Sequence, residues 1–252
     1  MKKFILGIIL LGSLPFVAAA QLNESDSINW QLKFNATGSV LDGNVARTLL
    51  LQRFEVARAN ARWGVSSRND YQYGRTRYIL TENDVISYNF IYLHPLSRVY
   101  PYFMALVETN YRRNIGFRYQ AGPGVSWNVV RRKDHAVKLS LTGTYEYTRY
   151  GGNQFDEAVY NGNNIIETWR VTGRVFGKHK ISSALRVSYE FWWQQSLDES
   201  VNYRYHTEEA IEFPVSKHVA FRTGFRYSYE NIELQGLKPF DLYWTYGLTI
   251  TN

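Results

Sequence analysis

The feature that most constrains the fold is a strict alternation of apolar and polar residues that recurs in long segments. Trp30, Leu32, Phe34 and Ala36 alternate with polar residues, which places the apolar side chains on one face of an extended strand. The same period of two returns near residues 117–129, 137–147, 185–193, 221–229 and 242–250. Most of these segments are about 10 to 14 residues long, roughly twice the usual length of a strand in a soluble protein. A tilted strand needs about 9 to 11 residues to cross the hydrocarbon of a bilayer, so the length favours a transmembrane barrel.

The aromatic residues favour the same architecture. The chain has 7 Trp, 20 Tyr and 14 Phe, and the Tyr and Trp residues gather near the ends of the predicted strands, as at Tyr145, Tyr147, Trp193, Tyr227 and Tyr229. Interfacial girdles of an outer-membrane barrel have this distribution. A secreted soluble β-protein with tyrosine-rich strands is the alternative that the pattern leaves open.

The N-terminus predicts export. Lys2 and Lys3 precede an apolar run from Phe4 to Leu14, and three alanines stand at 18–20, as in a secretory signal peptide. We therefore expect a signal peptide at 1–20 and one barrel domain at 21–252. Export makes a nucleic-acid partner improbable although the formal net charge is +7. A chain without cysteine has neither disulfides nor thiolate metal sites.

Counting the alternating segments gives about twelve strands. They are expected near 28–40, 46–57, 61–73, 84–93, 99–110, 116–129, 136–148, 165–176, 181–194, 202–215, 219–230 and 240–251. An even number leaves both termini on the periplasmic side. Short periplasmic turns are expected at Ala57–Asn60, His94–Arg98, Arg131–His135, Gly177–Lys180 and Ser216–His218, and longer external loops include Gly74–Asn83 and Arg149–Asn164. The predicted fold is all-β, a transmembrane antiparallel up-and-down β-barrel.

Several segments resemble a known family. They are Asp42-Gly43-Asn44, Asn110–Phe117 leading into the run from Arg118 to Gly124, Lys138–Gly143, and Pro239-Phe240-Asp241. Together they resemble the salt-induced outer-membrane protein family, a domain of unknown function, over nearly the whole mature chain. The resemblance implies a small outer-membrane barrel with no settled activity, and it carries over no functional residue.

Four histidines and a glycine-containing segment are candidate chemical sites outside the lumen. His94, His135, His179 and His218 fall in predicted periplasmic turns, where they are read as polar turn residues. A periplasmic metal or anionic partner is the alternative, but the turns lie on different hairpins and no ligand spacing repeats. Gly122-Pro123-Gly124 is not a phosphate loop because no helix follows it, and it predicts a bend or bulge in a curved strand.

His206 is the only histidine inside a predicted strand, and its parity places it in the lumen. Ser228 on the next strand is able to approach it, but the pair has no clear third member. A lipid-modifying enzyme would meet acyl chains on the outer face instead. The sequence therefore predicts no enzyme, no cofactor and no metal site, with a polar network as the role of His206.

Charged residues are dense at positions of inward parity. The inward cations are Lys33, Arg47, Arg53, Arg68, Arg118, Lys138, Arg170, Arg174, Arg186, Arg204, Arg222 and Arg226, and the inward anions are Glu55, Asp70, Glu108, Glu146, Glu190, Glu208, Glu212 and Glu230. Either they pair and fill a narrow barrel, or some line a water-filled path that prefers anions. Tyr102, Met104, Leu106 and Trp192 also point inward and narrow any path.

A lumen charge network is predicted on the last strands. Its members are Arg186, Glu190, Arg204, His206, Glu208, Glu212, Arg222, Arg226 and Glu230. A turn centred on Lys217 places Glu212, Glu208 and Arg204 opposite Arg222, Arg226 and Glu230 respectively. A turn near Leu197 would place Glu190 opposite Arg204, and Arg186 opposite Glu208.

The functional expectation is an outer-membrane barrel with a structural or envelope-stress role and a largely plugged, charge-paired lumen. A small selective channel for anionic solutes is the first alternative and a lipid-modifying enzyme the second. The expected partners are the lipid bilayer, lipopolysaccharide and the barrel assembly machinery, and the barrel is expected to be monomeric because closure removes free sheet edges.

Overall fold

The computed structural model describes residues 30–41 and 46–251. The predicted signal peptide at 1–20 and the segment Asp42-Gly43-Asn44 lie outside these residues. The described chain forms twelve antiparallel strands that close into one barrel, each strand pairing with its neighbours in sequence and β1 pairing with β12. The strands are β1 Gln31–Leu41, β2 Arg47–Ala59, β3 Trp63–Thr76, β4 Ile79–Leu93, β5 Val99–Asn110, β6 Ile115–Arg131, β7 His135–Tyr150, β8 Ile165–Lys180, β9 Arg186–Ser196, β10 Tyr203–Pro214, β11 Val219–Glu230 and β12 Phe240–Thr251.

The predicted fold class and strand count are therefore confirmed. We call the end where β1 begins and β12 ends the terminal end, and the opposite end the loop end. Among the described residues, the only helix is a single 3₁₀ turn at Ala158–Tyr160. No described helix is long and apolar enough to cross a membrane.

The predicted long loop Gly74–Asn83 is wrong. β3 and β4 remain paired up to Thr76 and Ile79, past a register shift between Gly74 and Arg75. Arg77 and Tyr78 alone connect the strands, and both have positive φ (47° and 70°), as a type I′ hairpin requires. The polar residues here suggest a loop, but they belong to paired strands, because the hairpin continues beyond the apolar part of the outer surface.

Two other turns lie further along the chain than predicted. β8 extends to Lys180, so the turn expected at Gly177–Lys180 lies at 181–185 instead. β2 extends to Ala59, so the turn expected at Ala57–Asn60 follows at 60–62. Both strands carry polar or small residues at their ends, where hydropathy no longer marks the boundary. The turns around His94 and Lys217 lie where they were predicted.

The outer surface is apolar. Shared parity within the long strands predicts eight lipid-facing residues. Of these, Trp30, Phe34, Leu139, Leu141 and Leu248 are exposed on the outer surface, and Val187 and Phe225 are half-buried in the strands. The remaining one, Leu185, lies in the turn between β8 and β9. The interior is polar and charged, which is the reverse of a soluble protein and the arrangement of a membrane barrel.

Aromatic residues mark both rims of this surface. Tyr203, Tyr205, Tyr227 and Tyr229 stack on one another toward the loop end, with ring centroids 5.0 to 6.0 Å apart. At the terminal end the Arg58 guanidinium lies over the rings of Trp30 and Trp63. These are the girdles that the sequence predicted.

The segment Gly122-Pro123-Gly124 does not form a bulge. β6 continues through it in register with β5, and its register shifts against β7 lie elsewhere, between Ile115 and Phe117 and between Asn128 and Val130. A Cβ at Gly122 would lie 2.0 Å from the carbonyl oxygen of Gly143. Glycine is needed here because the backbones of β6 and β7 approach closely, which is the use of a strand glycine that the bulge prediction overlooked.

The seam that closes the barrel is short. β1 and β12 pair at four positions, from Lys33 with Thr251 to Ala36 with Leu248, all in the terminal half of β1. Inside this seam the Thr249 hydroxyl donates to Asn35 Oδ1 at 2.6 Å. By comparison, β1 and β2 pair over the full length of β1.

Candidate functional site: the charged lumen

The middle of the lumen is organised around the carboxylate of Glu208 on β10. Arg53 on β2 donates Nη1 to Oε1 at 2.5 Å and Nη2 to Oε2 at 2.9 Å, and its Nε donates to Asp70 at 2.5 Å. Arg222 donates to Glu208 at 3.0 Å, and Arg226 lies 3.5 Å away. Because three strands separate β2 from β10 around the wall, this ion pair crosses the lumen.

A second pair crosses the lumen nearer the loop end. Arg118 on β6 forms a bidentate pair with Glu230 on β11, with nitrogen to oxygen distances of 2.8 and 2.9 Å. Arg118 also donates to Glu108 at 3.0 Å. Beside it, Glu146 accepts two hydrogen bonds from Arg170, at 2.9 and 3.0 Å, and one from Arg204.

Two further pairs extend the network across the barrel. Arg68 on β3 lies 3.3 Å from Glu190 on β9, the strand diametrically opposite, and Arg174 lies 3.0 Å from the same carboxylate. Lys33 on β1 donates to Glu212 on β10 at 2.6 Å. Arg53, Arg118 and Lys33 are almost wholly buried, so these pairs fill the interior instead of lying on a solvated rim.

One side of the lumen wall is apolar. Tyr92, Tyr100, Tyr102, Met104 and Leu106 pack together on the inner face of β4 and β5. The Tyr102 hydroxyl lies 2.5 Å from the Thr142 hydroxyl. The inward direction predicted for Tyr102, Met104 and Leu106 is therefore confirmed, as is that of Trp192, whose ring stacks on His206.

A cavity of about 280 Å³ remains between this wall and the charged network. Its lining runs from Tyr92 and Phe90 up to Asp84 and Arg112 at the loop end. Since a bulky wall and crossing ion pairs bound it, the cavity is a pocket in a packed interior, unlike the wide aqueous channel of larger porins.

Two loops close over part of the loop end. We call the segments 151–164 and 231–239 together the loop-end lid; Phe155 in the first forms an isolated antiparallel bridge with Leu234 in the second. Both side chains are buried in an apolar cluster with Ile115, Tyr150 and Ile232, among others. The lid joins the β7–β8 hairpin to the β11–β12 hairpin, which are not neighbours in the wall.

A buried contact between a guanidinium and a carboxyl anchors the lid to the barrel. Arg113, in the turn between β5 and β6, contacts Glu233 of the lid and donates Nε to Asp241 at 2.9 Å. Burial raises the pKa of the Glu233 carboxyl to about 8; Arg113 opposes the rise and the neighbouring Glu230 adds to it. This group therefore holds its proton more tightly than an exposed carboxyl does.

His206 and Ser228 meet as predicted, with Nδ1 2.8 Å from the hydroxyl oxygen. The Nε2 atom lies 4.0 Å from Glu208, too far for a hydrogen bond, and Arg53 already holds that carboxylate. A triad needs an orienting acceptor on the second ring nitrogen. The arrangement is a hydrogen-bonded pair stacked on Trp192.

The predicted register between β10 and β11 is confirmed. Glu212 lies opposite Arg222, Glu208 opposite Arg226, and Arg204 opposite Glu230. The register predicted between β9 and β10 is wrong: Glu208 lies opposite Glu190, not Arg186, while Arg204 lies opposite Gln194 and Arg186 opposite Glu212. The connecting loop spans 197–202, so its centre falls past Leu197, and arginines from distant strands separate the two carboxylates.

Sequence reasoning missed a cluster of charged residues at the loop end. Arg112 and Arg113 pair there with Asp84 and Asp241, and Arg113 contacts Glu233 of the lid. Most of these residues lie in turns or at strand ends, where alternation gives no signal. Sequence reasoning also placed His135 and His179 in turns of different hairpins, where they would not meet. These residues lie directly opposite each other on β7 and β8, with their Nδ1 atoms 3.1 Å apart, because both strands extend further than predicted. In the described part of the chain, no group of three or more potential ligands is arranged to hold a metal.

A closed antiparallel barrel with an apolar outside and a charged inside defines the class of outer-membrane-type β-barrels. Within that class, the chain belongs to the family described as "Protein of unknown function, DUF481", whose model matches residues 34–251. No curated protein matches the chain.

Solved structures share the barrel fold at very low sequence identity. The structure titled "NanC porin structure in rhombohedral crystal form" is similar with a TM-score of 0.53 at 10% identity, over 88% of this chain and 99% of that chain. The translocator domain of the autotransporter NalP from Neisseria meningitidis is similar with a TM-score of 0.46 at 10% identity, over 88% of this chain and 86% of that one. At 10% identity the likeness to the NanC porin structure concerns the fold alone.

Proposed function

We propose that this protein is an outer-membrane barrel with a structural or envelope-stress role, whose lumen is blocked to most solutes by charge pairs. The observation that carries the proposal is the bidentate pair between the buried Arg118 and the half-buried Glu230, which joins opposite sides of the wall. The pairs Arg53 with Glu208 and Arg68 with Glu190 cross at other positions. A path for large solutes would have to break several of these contacts at once.

The apolar outer face supports insertion in a bilayer, and the proposed location is the outer membrane, with lipopolysaccharide and the assembly machinery as partners. Fractionation tests this location. The native protein should stay in the membrane pellet through alkaline carbonate washing and leave it only with detergent. Release into the periplasmic fraction without detergent would refute insertion.

Conductance tests the blocked lumen. Pure protein in planar bilayers should give small or undetectable currents, and stable, large, cation-selective steps would refute the proposal. Arg118→Ala should raise the current because it removes the bridge, whereas Arg47→Ala is the matched control. Arg47 has inward parity, but its side chain is 44% exposed at the loop-end rim.

The envelope role is tested in the organism. A deletion strain should grow more poorly than its parent in high salt or in detergent, and the wild-type gene should restore growth. Equal growth of the two strains under both stresses would remove the proposed role. The blocked lumen and the envelope role are tested independently, because conductance is measured on the isolated barrel and growth is measured in the organism.

A narrow passage for small anions is a second candidate, favoured by the charge around the cavity. Nine arginines line it against eight carboxylates, a small excess of positive charge. Excess positive charge favours anions in a narrow pore. In a salt gradient, the reversal potential of any current through the Arg118→Ala barrel should therefore lie toward the equilibrium potential of chloride. A reversal potential toward that of the cation would reject this candidate.

We propose no catalytic role for the chain. The His206–Ser228 pair, which comes nearest to a catalytic arrangement, points into the lumen and lacks the orienting acceptor described above. Unchanged lipid composition in the deletion strain is the expected result. A modified lipid that depends on Ser228 would support an enzyme instead.

A further inference from the structure

The apolar outer surface is interrupted by four uncharged polar side chains on β3 and β4. They are Ser67, Asn69, Ser87 and Asn89. In the barrel Ser67 lies opposite Asn89, and Asn69 opposite Ser87. The alternate residues of both strands point into the lumen: the Ser66 hydroxyl, for example, lies 2.9 Å from that of the buried Tyr92. All four polar side chains therefore face outward, and we call them the Ser/Asn patch.

The patch lies near mid-height of the wall, not at an interface with water. On the outer face of β3 it is bracketed by Trp63 at the terminal end and Tyr71 toward the loop end. On β4, Ile91 and Val85 flank it, and both are exposed apolar residues. If the barrel is inserted as proposed above, on which this inference rests, the patch faces the hydrocarbon of the bilayer.

The four side chains form a closed ring of hydrogen bonds. The Ser67 hydroxyl donates to Asn89 Oδ1 at 2.8 Å, and Asn89 Nδ2 donates to the Ser87 hydroxyl at 3.0 Å. The Ser87 hydroxyl donates to Asn69 Oδ1 at 2.7 Å, and Asn69 Nδ2 donates to the Ser67 hydroxyl at 3.0 Å, which closes the ring. The ring uses one N–H and one oxygen lone pair of each amide, so each amide keeps one donor and one acceptor for another partner.

Polar side chains that face lipid are costly when their hydrogen-bonding capacity is not met, and they drive association within membranes. The donors and acceptors of the patch indicate which kind of partner fits it. Because each amide offers both a donor and an acceptor and none of the four residues is charged, the patch is complementary to a copy of itself turned by a two-fold axis. A cationic or anionic partner would find no opposite charge here. The neighbouring outward residue on β5, opposite Asn89, is Ala105, which leaves room for close approach.

We propose that the outer face of β3 and β4 is the interface of a homodimer, in which the Ser/Asn patches of two barrels hydrogen-bond to each other across a two-fold axis. This replaces the expectation of a monomer. Closure of the barrel removes sheet edges as a reason to associate, but it does not satisfy polar side chains that point into lipid.

Disulfide trapping tests the dimer, since the chain has no cysteine and any introduced thiol is unique. Ile91→Cys lies beside the patch, near the proposed axis, and should form a covalent dimer in native membranes with copper phenanthroline as oxidant. Ile211→Cys on β10 is the matched control, because it is also an exposed isoleucine near the terminal end of its strand but lies on another side of the barrel. The control should remain monomeric under the same treatment.

The patch itself is then removed by Asn69→Leu with Asn89→Leu in the Ile91→Cys background. Leucine suits a lipid-facing position, so the barrel should fold, as judged by its heat-modifiable mobility on gels. The dimer yield should fall about tenfold, the effect of losing amide hydrogen bonds within a membrane. Equal trapping of Ile91→Cys and Ile211→Cys, or trapping that survives both leucines, would overturn the proposal. A covalent product with the mass of a different protein would also overturn it.

Carbonate washing of the same membranes separates this failure from a failure of the location. Variants that stay in the pellet and do not dimerise refute the interface alone. Variants that leave the pellet with the wild type refute insertion and, with it, the reason for the interface.

Discussion

Two adjacent glutamates on β10 should respond oppositely to the same substitution. Glu208 points into the lumen, where it is buried and holds Arg53, whereas Glu209 points outward and is exposed on the apolar face. Glutamine preserves the size of either side chain, removes its charge and replaces one acceptor oxygen by an NH₂ donor. We expect Glu208→Gln to destabilise the barrel and Glu209→Gln to stabilise it.

The magnitudes follow from the surroundings of each carboxylate. Without the charge of Glu208, Arg53 keeps Asp70 at 2.5 Å, but Arg222 keeps only Glu212 at 4.0 Å. Breaking a buried pair by removing one partner costs about 3–5 kcal/mol, and the remaining partner and the adjoining cavity place this case near 3 kcal/mol. A carboxylate on the lipid face near mid-bilayer costs less than the ~2–4 kcal/mol of a lysine or arginine, so its removal should stabilise by about 1 kcal/mol.

The assay is reversible urea unfolding of the barrel in phospholipid vesicles, followed by tryptophan fluorescence. The two variants should differ in free energy of unfolding by about 4 kcal/mol, with equal slopes against urea. Changes of the same sign and size in both variants would refute the assignment of these residues to opposite faces. A neutral Glu208→Gln would refute the role of the network in stability.

Three other predictions concern the outer face, the register and the lid. Leu141→Arg should destabilise the barrel by about 2–4 kcal/mol in vesicles, whereas Leu93→Arg, at the terminal rim, should cost about 0–1 kcal/mol; equal costs would contradict the position of the belt. Glu208→Arg should lower the unfolding temperature and Arg226→Glu should restore only part of it, because Arg53 and Arg222 also bind this carboxylate; a strictly additive double mutant would show that the pair is not coupled. Because the folded pKa of Glu233 is raised to about 8, its protonated form favours the closed lid at low pH, and this contribution is lost as pH rises from the unfolded value through 8. Amide exchange in the lid should therefore speed up between about pH 5 and pH 8 more than exchange chemistry predicts, with no further excess above pH 8, and Glu233→Gln should abolish the excess.

Much of the wall was predictable because period-two alternation is imposed by lipid outside and charge inside. The register from Glu212 with Arg222 to Arg204 with Glu230 followed from opposite charges and a short turn. The neighbouring register failed because the turn near Leu197 is longer, and a loop of six residues does not fix its own centre. Alternation specifies faces, whereas turn length specifies register.

The contacts across the lumen were not predictable for a different reason. Arg118 and Glu230 are 112 residues apart in sequence, and no local pattern tells which inward charge reaches which. Alternation predicted that both point inward, but their distance depends on barrel diameter and strand stagger. The lid was missed for the same reason, since Phe155 and Leu234 meet only once the barrel is closed.

The short seam between β1 and β12 has a consequence for how the molecule is made and unmade. Its strands stand at opposite ends of the described chain, so joining them costs more loop-closure entropy than any hairpin, and only four paired positions repay that cost. The seam should be the last pairing to form during assembly and the first to part under stress. Deuterium uptake should begin at Phe34 and Ile250 while the hairpin of β6 and β7 is still protected. The rate at which the barrel unfolds is then set by the opening of the seam between β1 and β12, not by the average stability of the other strand pairs.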